Sequence, residues 1–129
     1  MPLDIDIAKN RHTYWVKLTG SLDTETSPEM ENRMEPVLAD PDTRTVQLDL
    51  SGLEYISSIG LGLVAKIRKT VQSKGGLVLM IGAQPQIIRT FQLVKMMPQE
   101  TVFSSREEAD AYLADFQKLV IEEKRQPPA

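Results

Sequence analysis

Two stretches near the start of the chain have apolar residues at every second position. Residues 3–8 alternate in this way, and residues 14–18 do so again after a turn at Asn10-Arg11. A period of two indicates half-buried strands, and the short turn between them predicts an antiparallel hairpin. We expect the second strand to end at Gly20.

The spacing of apolar residues changes from strand-like to helical after this hairpin. Thr26 or Ser27 precedes Pro28, and proline suits the first turn of a helix. Pro36 lies inside the helical pattern, so we expect a kink or a break there. The turn at residues 40–42 closes the segment.

The central part of the chain predicts strand, helix and strand. Residues 46–50 alternate as a third strand, which we expect residues 51–52 (Ser-Gly) to interrupt. A helix follows Ser57-Ser58 and runs to about Ser73, before the glycine pair at 75–76. The continuous apolar run 77–81 is typical of a strand covered on both faces.

The last third predicts helix, strand and helix. Pro85 opens a helix that we expect to end at Pro98, and residues 101–103 form a short edge strand. Ser105 with Glu108 has the spacing of a capping box. The residues expected to be buried in these two helices are Ile87, Ile88, Phe91, Leu93 or Val94, then Ala109, Tyr112, Leu113, Phe116 and Val120.

The element order is therefore β-β-α-β-α-β-α-β-α. Strands separated by helices predict an α/β fold with a mixed, mostly parallel sheet packed against helices. The 129 residues suit one domain, 1–129, with a core over about 3–120 and a charged, proline-containing tail at 122–129.

Composition narrows the function classes. With 41% hydrophobic residues the chain has enough apolar side chains for a core, and with no cysteine it has no disulfide or thiolate metal site. The net charge of -3 disfavours nucleic acid as a partner. No apolar run is long enough to cross a membrane and the amino terminus does not resemble a signal peptide, so we expect a cytoplasmic protein.

An enzyme is not expected. The single histidine, His12, lies near a predicted turn, and we find no nucleophile elbow, paired metal ligands or P-loop lysine. Gly60 and Gly62 do not complete a dinucleotide motif, because the acidic residue expected about twenty positions later is absent. We therefore predict no catalytic residue, no metal and no cofactor.

The segment from Ser57 to Gly62 is the candidate site. One of its two serines can cap the following helix, and a helix start stabilises an attached phosphate through its free N–H groups and its dipole. On a helical wheel Ile59 and Gly62 lie beside Ser58, on the side of the solvent-facing Lys66 and away from the core. They form a candidate partner surface, with packing of Ile59 against a neighbouring loop as the alternative.

Residues 47–62 read Gln-Leu-Asp-Leu-Ser-Gly-Leu-Glu-Tyr-Ile-Ser-Ser-Ile-Gly-Leu-Gly. This stretch resembles the core of STAS domains of the bacterial anti-sigma factor antagonist type. Residues 18–23, Leu-Thr-Gly-Ser-Leu-Asp, resemble the family's Leu-x-Gly-x-Leu-Asp segment. The glycine pair and strand at 75–79 and the helix at 85–94 match in order and spacing. The resemblance covers roughly residues 3–115.

The resemblance implies partner switching. The unmodified protein would bind an anti-sigma factor serine kinase with a GHKL-type ATPase fold and so release the sigma factor. Phosphorylation of Ser58 would separate the pair, and a PP2C-like phosphatase would reset the switch. The partner-binding residues expected from the resemblance and from the helix faces are Asp23, Ser57, Ser58, Ile59, Gly60, Gly62 and Lys66.

Two positions depart from the family's pattern. Ser57 replaces the aspartate before the acceptor and is a rival acceptor itself, and Ile59 replaces the following serine or threonine. These changes keep open an alternative, a STAS interaction or scaffold module that is not phosphorylated, within a stressosome-like or transporter-associated complex. A sensor of a small ligand or nucleotide near Asp23 and Ser58 is a third hypothesis, which no residue specifically favours.

Overall fold

The computed structural model describes residues 2–93 and 102–114, and it begins with the predicted hairpin. Strand β1 (Leu3–Asn10) pairs antiparallel with β2 (Thr13–Leu22). The prediction that β2 ends at Gly20 is wrong. The strand continues to Leu22, because Gly20 adopts a φ of 113° that other residues rarely reach and lets Pro2 approach it closely.

The third strand, β3 (Thr45–Ile56), is longer than predicted. Ser51 and Gly52 do not interrupt it. Its parallel pairing with β2 shifts register between Lys17 and Thr19 and again between Gly20 and Ser21. Irregular pairing of this kind absorbs residues that break the alternation, so the strand continues past them.

Two further parallel strands complete the sheet. Strand β4 (Leu77–Ile81) pairs with β3, and the short edge strand β5 (Val102–Phe103) pairs with β4. Over the described residues the strand order is β1-β2-β3-β4-β5, in which only the first pair is antiparallel. The predicted mixed, mostly parallel sheet is confirmed.

Four helices are described: α1 (Ser27–Ala39), α2 (Ser58–Ser73), α3 (Pro85–Leu93) and α4, seen over residues 106–114. The predicted element order is therefore confirmed. A break at Pro36 is wrong, because α1 runs through it and the Asp40 N–H still donates to the Pro36 carbonyl at 3.1 Å. Asn32, whose carbonyl loses its helical partner to the proline ring, is an exposed residue.

Helices α1, α2 and α3 contribute to the main core on one face of the sheet. Apolar residues of β2, β3 and β4 point into it together with the inner faces of these helices. The fully buried members with the largest side chains are Leu18, Leu22, Met30, Met34, Leu48, Leu50, Leu53, Ile67, Met80 and Ile87. In α3, Ile87 and Phe91 are buried as predicted and Ile88 is partly buried.

The prediction for Leu93 is wrong, because its side chain is 78% exposed at the end of α3. The alternative residue, Val94, lies outside the described residues, as do Pro98, Phe116, Val120 and the tail at 122–129.

Helix α4 covers part of the opposite sheet face. Ala109 and Leu113 are buried against Leu79 and Ile81 of β4, so β4 is covered on both faces as predicted. The Ser105 hydroxyl accepts the Glu108 N–H at 3.2 Å, while the Glu108 carboxylate accepts the Ser104 N–H at 2.9 Å. The cap thus uses the predicted serine and glutamate, with the return bond one residue earlier than in a capping box.

Asp40 links the first hairpin to the end of α1. Its carboxylate accepts hydrogen bonds from the Lys9 ammonium and the Tyr14 hydroxyl, each at 2.7 Å. These bonds hold the pKa of the Asp40 carboxyl well below its usual range. The Lys74 ammonium donates to the Leu38 and Asp40 carbonyls, which satisfies the helix end and connects it to the end of α2.

Candidate functional site

The candidate site lies where β2 and β3 end side by side. Leu22 and Ile56 are paired residues of these parallel strands. The Ser57 N–H donates to the Leu22 carbonyl at 2.9 Å and so extends the pairing by one residue. In open sheets with parallel strands, binding sites form at these carboxyl ends.

Ser57 caps α2. Its backbone is extended, its hydroxyl accepts the Gly60 N–H at 3.1 Å, and its carbonyl accepts the Leu61 N–H at 2.8 Å. The side chain is half-buried. The serine that the sequence leaves as a rival acceptor is therefore engaged in starting the helix.

Ser58 is the first residue of α2 and is exposed. Among the described residues its hydroxyl forms no hydrogen bond. The free N–H groups of the first helical turn make this position favourable for negative charge. An attached phosphate would meet both solvent and the positive end of the helix dipole.

Gly60 and Gly62 differ sharply in their surroundings. Gly60 is buried, and a Cβ atom there would lie 2.7 Å from the Leu22 carbonyl oxygen and 2.9 Å from Cγ1 of Ile56. Gly62 is exposed, and a Cβ atom there would meet nothing within 4 Å. Gly60 therefore allows α2 to approach β2 closely, whereas Gly62 leaves a flat, open spot on the helix surface.

Two large apolar side chains are exposed at this end of the sheet. Ile59 is 52% exposed and Tyr55, near the end of β3, is 56% exposed. Tyr55 was missed in the sequence, because strict alternation would place it on the buried face with Leu53, whereas the pairing of β3 with β2 is irregular here. We call Tyr55, Ser58, Ile59 and Gly62 the Ser58 patch.

Asp23 follows Leu22 directly and organises the loop before α1. Its carboxylate accepts the N–H groups of Glu25 and Thr26 at 3.0 and 3.1 Å. Hydrogen bonding, first of all from the Thr26 backbone, lowers the pKa of Asp23. The side chain is thus ionised and held next to the strand end that receives Ser57.

Lys66 lies two turns along α2 from Ser58. Its ammonium pairs with the Glu31 carboxylate of α1 at 3.0 Å, and both side chains are more than half exposed. Such a surface pair adds little stability. Lys66 is therefore accessible to a partner, which would compete with Glu31 for the ammonium group.

The remaining chemical candidates are not assembled into a site. Exposed His12 lies at the opposite end of β2, with its Nδ1 atom 3.1 Å from the Asp42 carbonyl oxygen. Within residues 2–93 and 102–114, no three His, Asp or Glu side chains are grouped to hold a metal ion. No helix in those same ranges has the length and hydropathy to cross a membrane.

The arrangement is that of a STAS domain, and the chain belongs to this family, whose model matches residues 4–109. It is 31% identical over 93 residues to the anti-sigma-B factor antagonist of Staphylococcus aureus strain NCTC 8325, covering 72% of this chain and 85% of the relative. The anti-sigma F factor antagonist of Paenibacillus polymyxa is 29% identical over 101 residues, covering 76% and 86%. Both relatives are named as antagonists of anti-sigma factors.

Solved structures agree on the fold. The anti-sigma factor antagonist SpoIIAA in its unphosphorylated form superposes with a TM-score of 0.68 at 18% identity, covering 88% of this chain and 98% of that one. The phosphorylated form of SpoIIAA from Bacillus gives 0.71 at 18% identity, covering 85% and 99%. The α/β fold predicted from the sequence is the fold of these proteins.

Proposed function

We propose that this protein is a cytoplasmic anti-sigma factor antagonist that binds its anti-sigma factor through the Ser58 patch and is released when Ser58 is phosphorylated. The proposal rests on one observation, which is that the two serine hydroxyls have different roles. The Ser57 hydroxyl caps α2, while the Ser58 hydroxyl is exposed and unbonded among the described residues.

The exposed neighbours of Ser58 support a binding surface there. Ile59 and Tyr55 provide apolar contact area, and open Gly62 lets a partner approach the helix backbone. Asp23 and Lys66 are charged groups on the adjoining loop and helix. Ser57 and Gly60 would contribute indirectly, by fixing where α2 begins.

Phosphorylation would reverse binding through charge. The kinase would transfer the γ-phosphoryl group of ATP to the Ser58 oxygen, with ADP leaving and the hydroxyl proton released. The product carries about -1.5 to -2 charges at the point where Ile59 and Tyr55 meet the partner. Burying that dianion against an apolar contact is costly, so the complex separates.

The relatives' names support an anti-sigma factor as the partner, and the kinase and the phosphatase are what the family resemblance implies. We propose an anti-sigma factor that is also a serine kinase with a GHKL-type ATPase fold, and a PP2C-like phosphatase that hydrolyses the phosphoserine. The phosphatase step consumes water and returns inorganic phosphate and the free hydroxyl.

The test is phosphorylation by the cognate anti-sigma kinase with ATP, followed by intact-mass measurement and peptide mapping. The wild-type protein and the Ser57→Ala variant should each gain one phosphate on Ser58, whereas Ser58→Ala should gain none. Modification of Ser57 alone would make Ser57 the acceptor. A kinase that binds the protein but adds no phosphate would favour the scaffold alternative.

A further inference from the structure

Strand β1 forms one edge of the sheet. Over the described residues it pairs with β2 on one side, and no strand lies on its outer side. With 8 residues it is longer than an average strand, so a whole added strand could pair with it. The backbone groups along an uncovered edge are a template for such a strand.

The direction of the β1 backbone groups follows from one hydrogen bond at the start of the strand. The Ser21 N–H of β2 donates to the Pro2 carbonyl at 3.3 Å, and the register that follows is continuous. In an antiparallel pair, residues alternate between bonding to the partner strand and pointing away from it. The N–H and carbonyl groups of Leu3, Ile5 and Ile7 therefore point outward.

The side chains of β1 give its edge an apolar side and an acidic side. Leu3 and Ile5 are buried in the main core, and Ile7 is partly buried at its margin. Asp4 and Asp6 are exposed on the opposite face. Neither carboxylate forms an ion pair with any other described residue. An added strand would thus meet apolar side chains on one face and two unpaired carboxylates on the other.

A second copy of the chain does not suit this edge. In a symmetric antiparallel pair of β1 strands, the register centred on Ile5 places Asp4 of each copy opposite Asp6 of the other. The registers centred on Asp4 or on Asp6 place two copies of the same aspartate opposite each other. Like charges in these positions destabilise a strand pair. The acidic side therefore disfavours self-association and favours basic side chains.

We propose that the outer edge of β1 binds an extended segment of a protein partner in which basic side chains alternate with apolar ones. The segment would add as a strand, with its backbone bonded to the outward groups of β1. Its lysine or arginine side chains would lie beside Asp4 and Asp6, and its apolar side chains would extend the core face of the sheet. This edge shares no residue with the Ser58 patch and does not depend on the proposed switch.

The probe is a fluorescein-labelled peptide with the sequence Thr-Val-Lys-Val-Lys-Val-Thr, titrated with the full chain at low ionic strength and followed by fluorescence anisotropy. We expect saturable binding. The isomer Thr-Lys-Lys-Val-Val-Val-Thr has the same composition and charge, but its two lysines point to opposite faces of a strand. It should bind at least about threefold more weakly. Equal binding of the isomer, or no saturation with the alternating peptide at millimolar concentration, would overturn the proposal.

Ile7→Pro and Ile7→Ala separate the backbone contribution from that of the side chain. Both variants lose the isoleucine side chain, but only proline also removes the outward N–H, and it leaves the bonds to β2 in place. Binding should weaken at least about tenfold in Ile7→Pro and less than about threefold in Ile7→Ala, with unchanged far-UV circular dichroism. Equal affinities of the two folded variants would place the peptide elsewhere.

A double variant, Asp4→Asn with Asp6→Asn, tests the acidic side of the edge. It should bind the alternating peptide at least about threefold more weakly. The matched control, Glu29→Gln with Glu35→Gln, removes two exposed carboxylates from α1, which packs on the other face of the sheet, and should leave the affinity unaltered. Equal losses in the two double variants would mean that the peptide responds only to net charge.

Hydrogen exchange in the wild-type protein, measured by NMR, tests the edge without a substitution. In the free protein the Ile5 and Ile7 amides should exchange faster than those of Asp6 and Ala8, and saturating peptide should slow them at least about tenfold. Slow exchange of Ile5 and Ile7 in the free monomer would mean that another segment of the chain covers the edge. A dimer in sedimentation that is lost in Ile7→Pro would mean that a second copy does. Either result would overturn the proposal.

Discussion

Gly60→Ala tests how α2 is seated on the sheet. The added Cβ atom would lie 2.7 Å from the Leu22 carbonyl oxygen, 2.9 Å from Cγ1 of Ile56 and 3.0 Å from Cγ of Leu22. Ordinary contacts between non-bonded carbon atoms are about 3.5–4.0 Å. The contact with the backbone carbonyl cannot be relieved by a side-chain rotation, so α2 or the end of β2 must move.

The magnitude follows from two opposing terms. Overpacking of this kind costs about 1–3 kcal/mol. Replacing glycine by alanine in a helix contributes about 0.5–1 kcal/mol of stability. The two terms leave a net cost of about 0–2.5 kcal/mol, and we expect Gly60→Ala to lower the free energy of unfolding by about 1 kcal/mol, near the middle of that range. The shift also strains the Ser57 hydrogen bond to Leu22, which connects the helix start to the strand.

Gly62→Ala is the matched control on the same helix. Its Cβ atom would meet nothing within 4 Å, so only the helix-propensity term remains. The free energy of unfolding should rise by about 0.5–1 kcal/mol. The two substitutions are chemically identical and two residues apart, yet their effects should have opposite signs.

The assay is equilibrium unfolding in urea, compared at the transition midpoint. With a slope of about 1–3 kcal/mol per molar urea, the difference between the variants is measurable. A Gly60→Ala variant as stable as the wild type, or more stable, would contradict the close packing of Gly60 against Leu22 and Ile56. A loss of stability in Gly62→Ala would equally contradict the open surroundings of that residue.

Three further predictions concern the cap, the patch and pH. Ser57→Ala should lower the free energy of unfolding, measured in urea, by about 1 kcal/mol, because the Gly60 N–H loses its acceptor. Ser58→Ala should leave the free energy of unfolding nearly unchanged, and equal effects of the two substitutions would contradict the assignment of the cap. Ile59→Glu should weaken binding of the anti-sigma factor in a calorimetric titration without lowering the melting temperature, and a large loss of thermal stability would show that Ile59 is core. Asp40 has a folded-state pKa below its unfolded value, so it contributes stability above the usual carboxyl pKa of about 3.9 and loses it as the pH falls through the lower folded-state value. The wild type should thus be more stable than Asp40→Asn at neutral pH, and the gap should narrow in acid; a gap that is independent of pH in urea unfolding would contradict it.

Local periodicity was enough to predict the order of elements. The faces of α2 are the clearest case, because Leu61, Val64 and Ile67 are buried while Lys66 and Ile59 are exposed, as their spacing predicts. The helix start at Ser57-Ser58 could also be predicted from the sequence, because a cap needs only a hydroxyl group and the turn that follows it. The sequence did not show which of the two serines caps the helix, because both carry a hydroxyl group that can accept the hydrogen bond.

Features set by distant pairing were missed. The continuation of β3 through Ser51 and Gly52 depends on irregular pairing with β2, which no local window contains. The contact between α4 and β3 includes a hydrogen bond between Gln47 and Asp110, which are 63 positions apart. Their polar side chains look unremarkable in the sequence, and only the packing of α4 on the sheet brings them together.

The most direct test of the proposed switch is a calorimetric titration of the cognate anti-sigma factor with this protein in two states, unmodified and phosphorylated on Ser58. We expect tight binding by the unmodified protein and affinity at least about tenfold weaker for the phosphorylated form, with both forms equally folded by circular dichroism. Equal affinity of the two forms would contradict the switch and leave Ser58 as an ordinary surface residue of a binding domain.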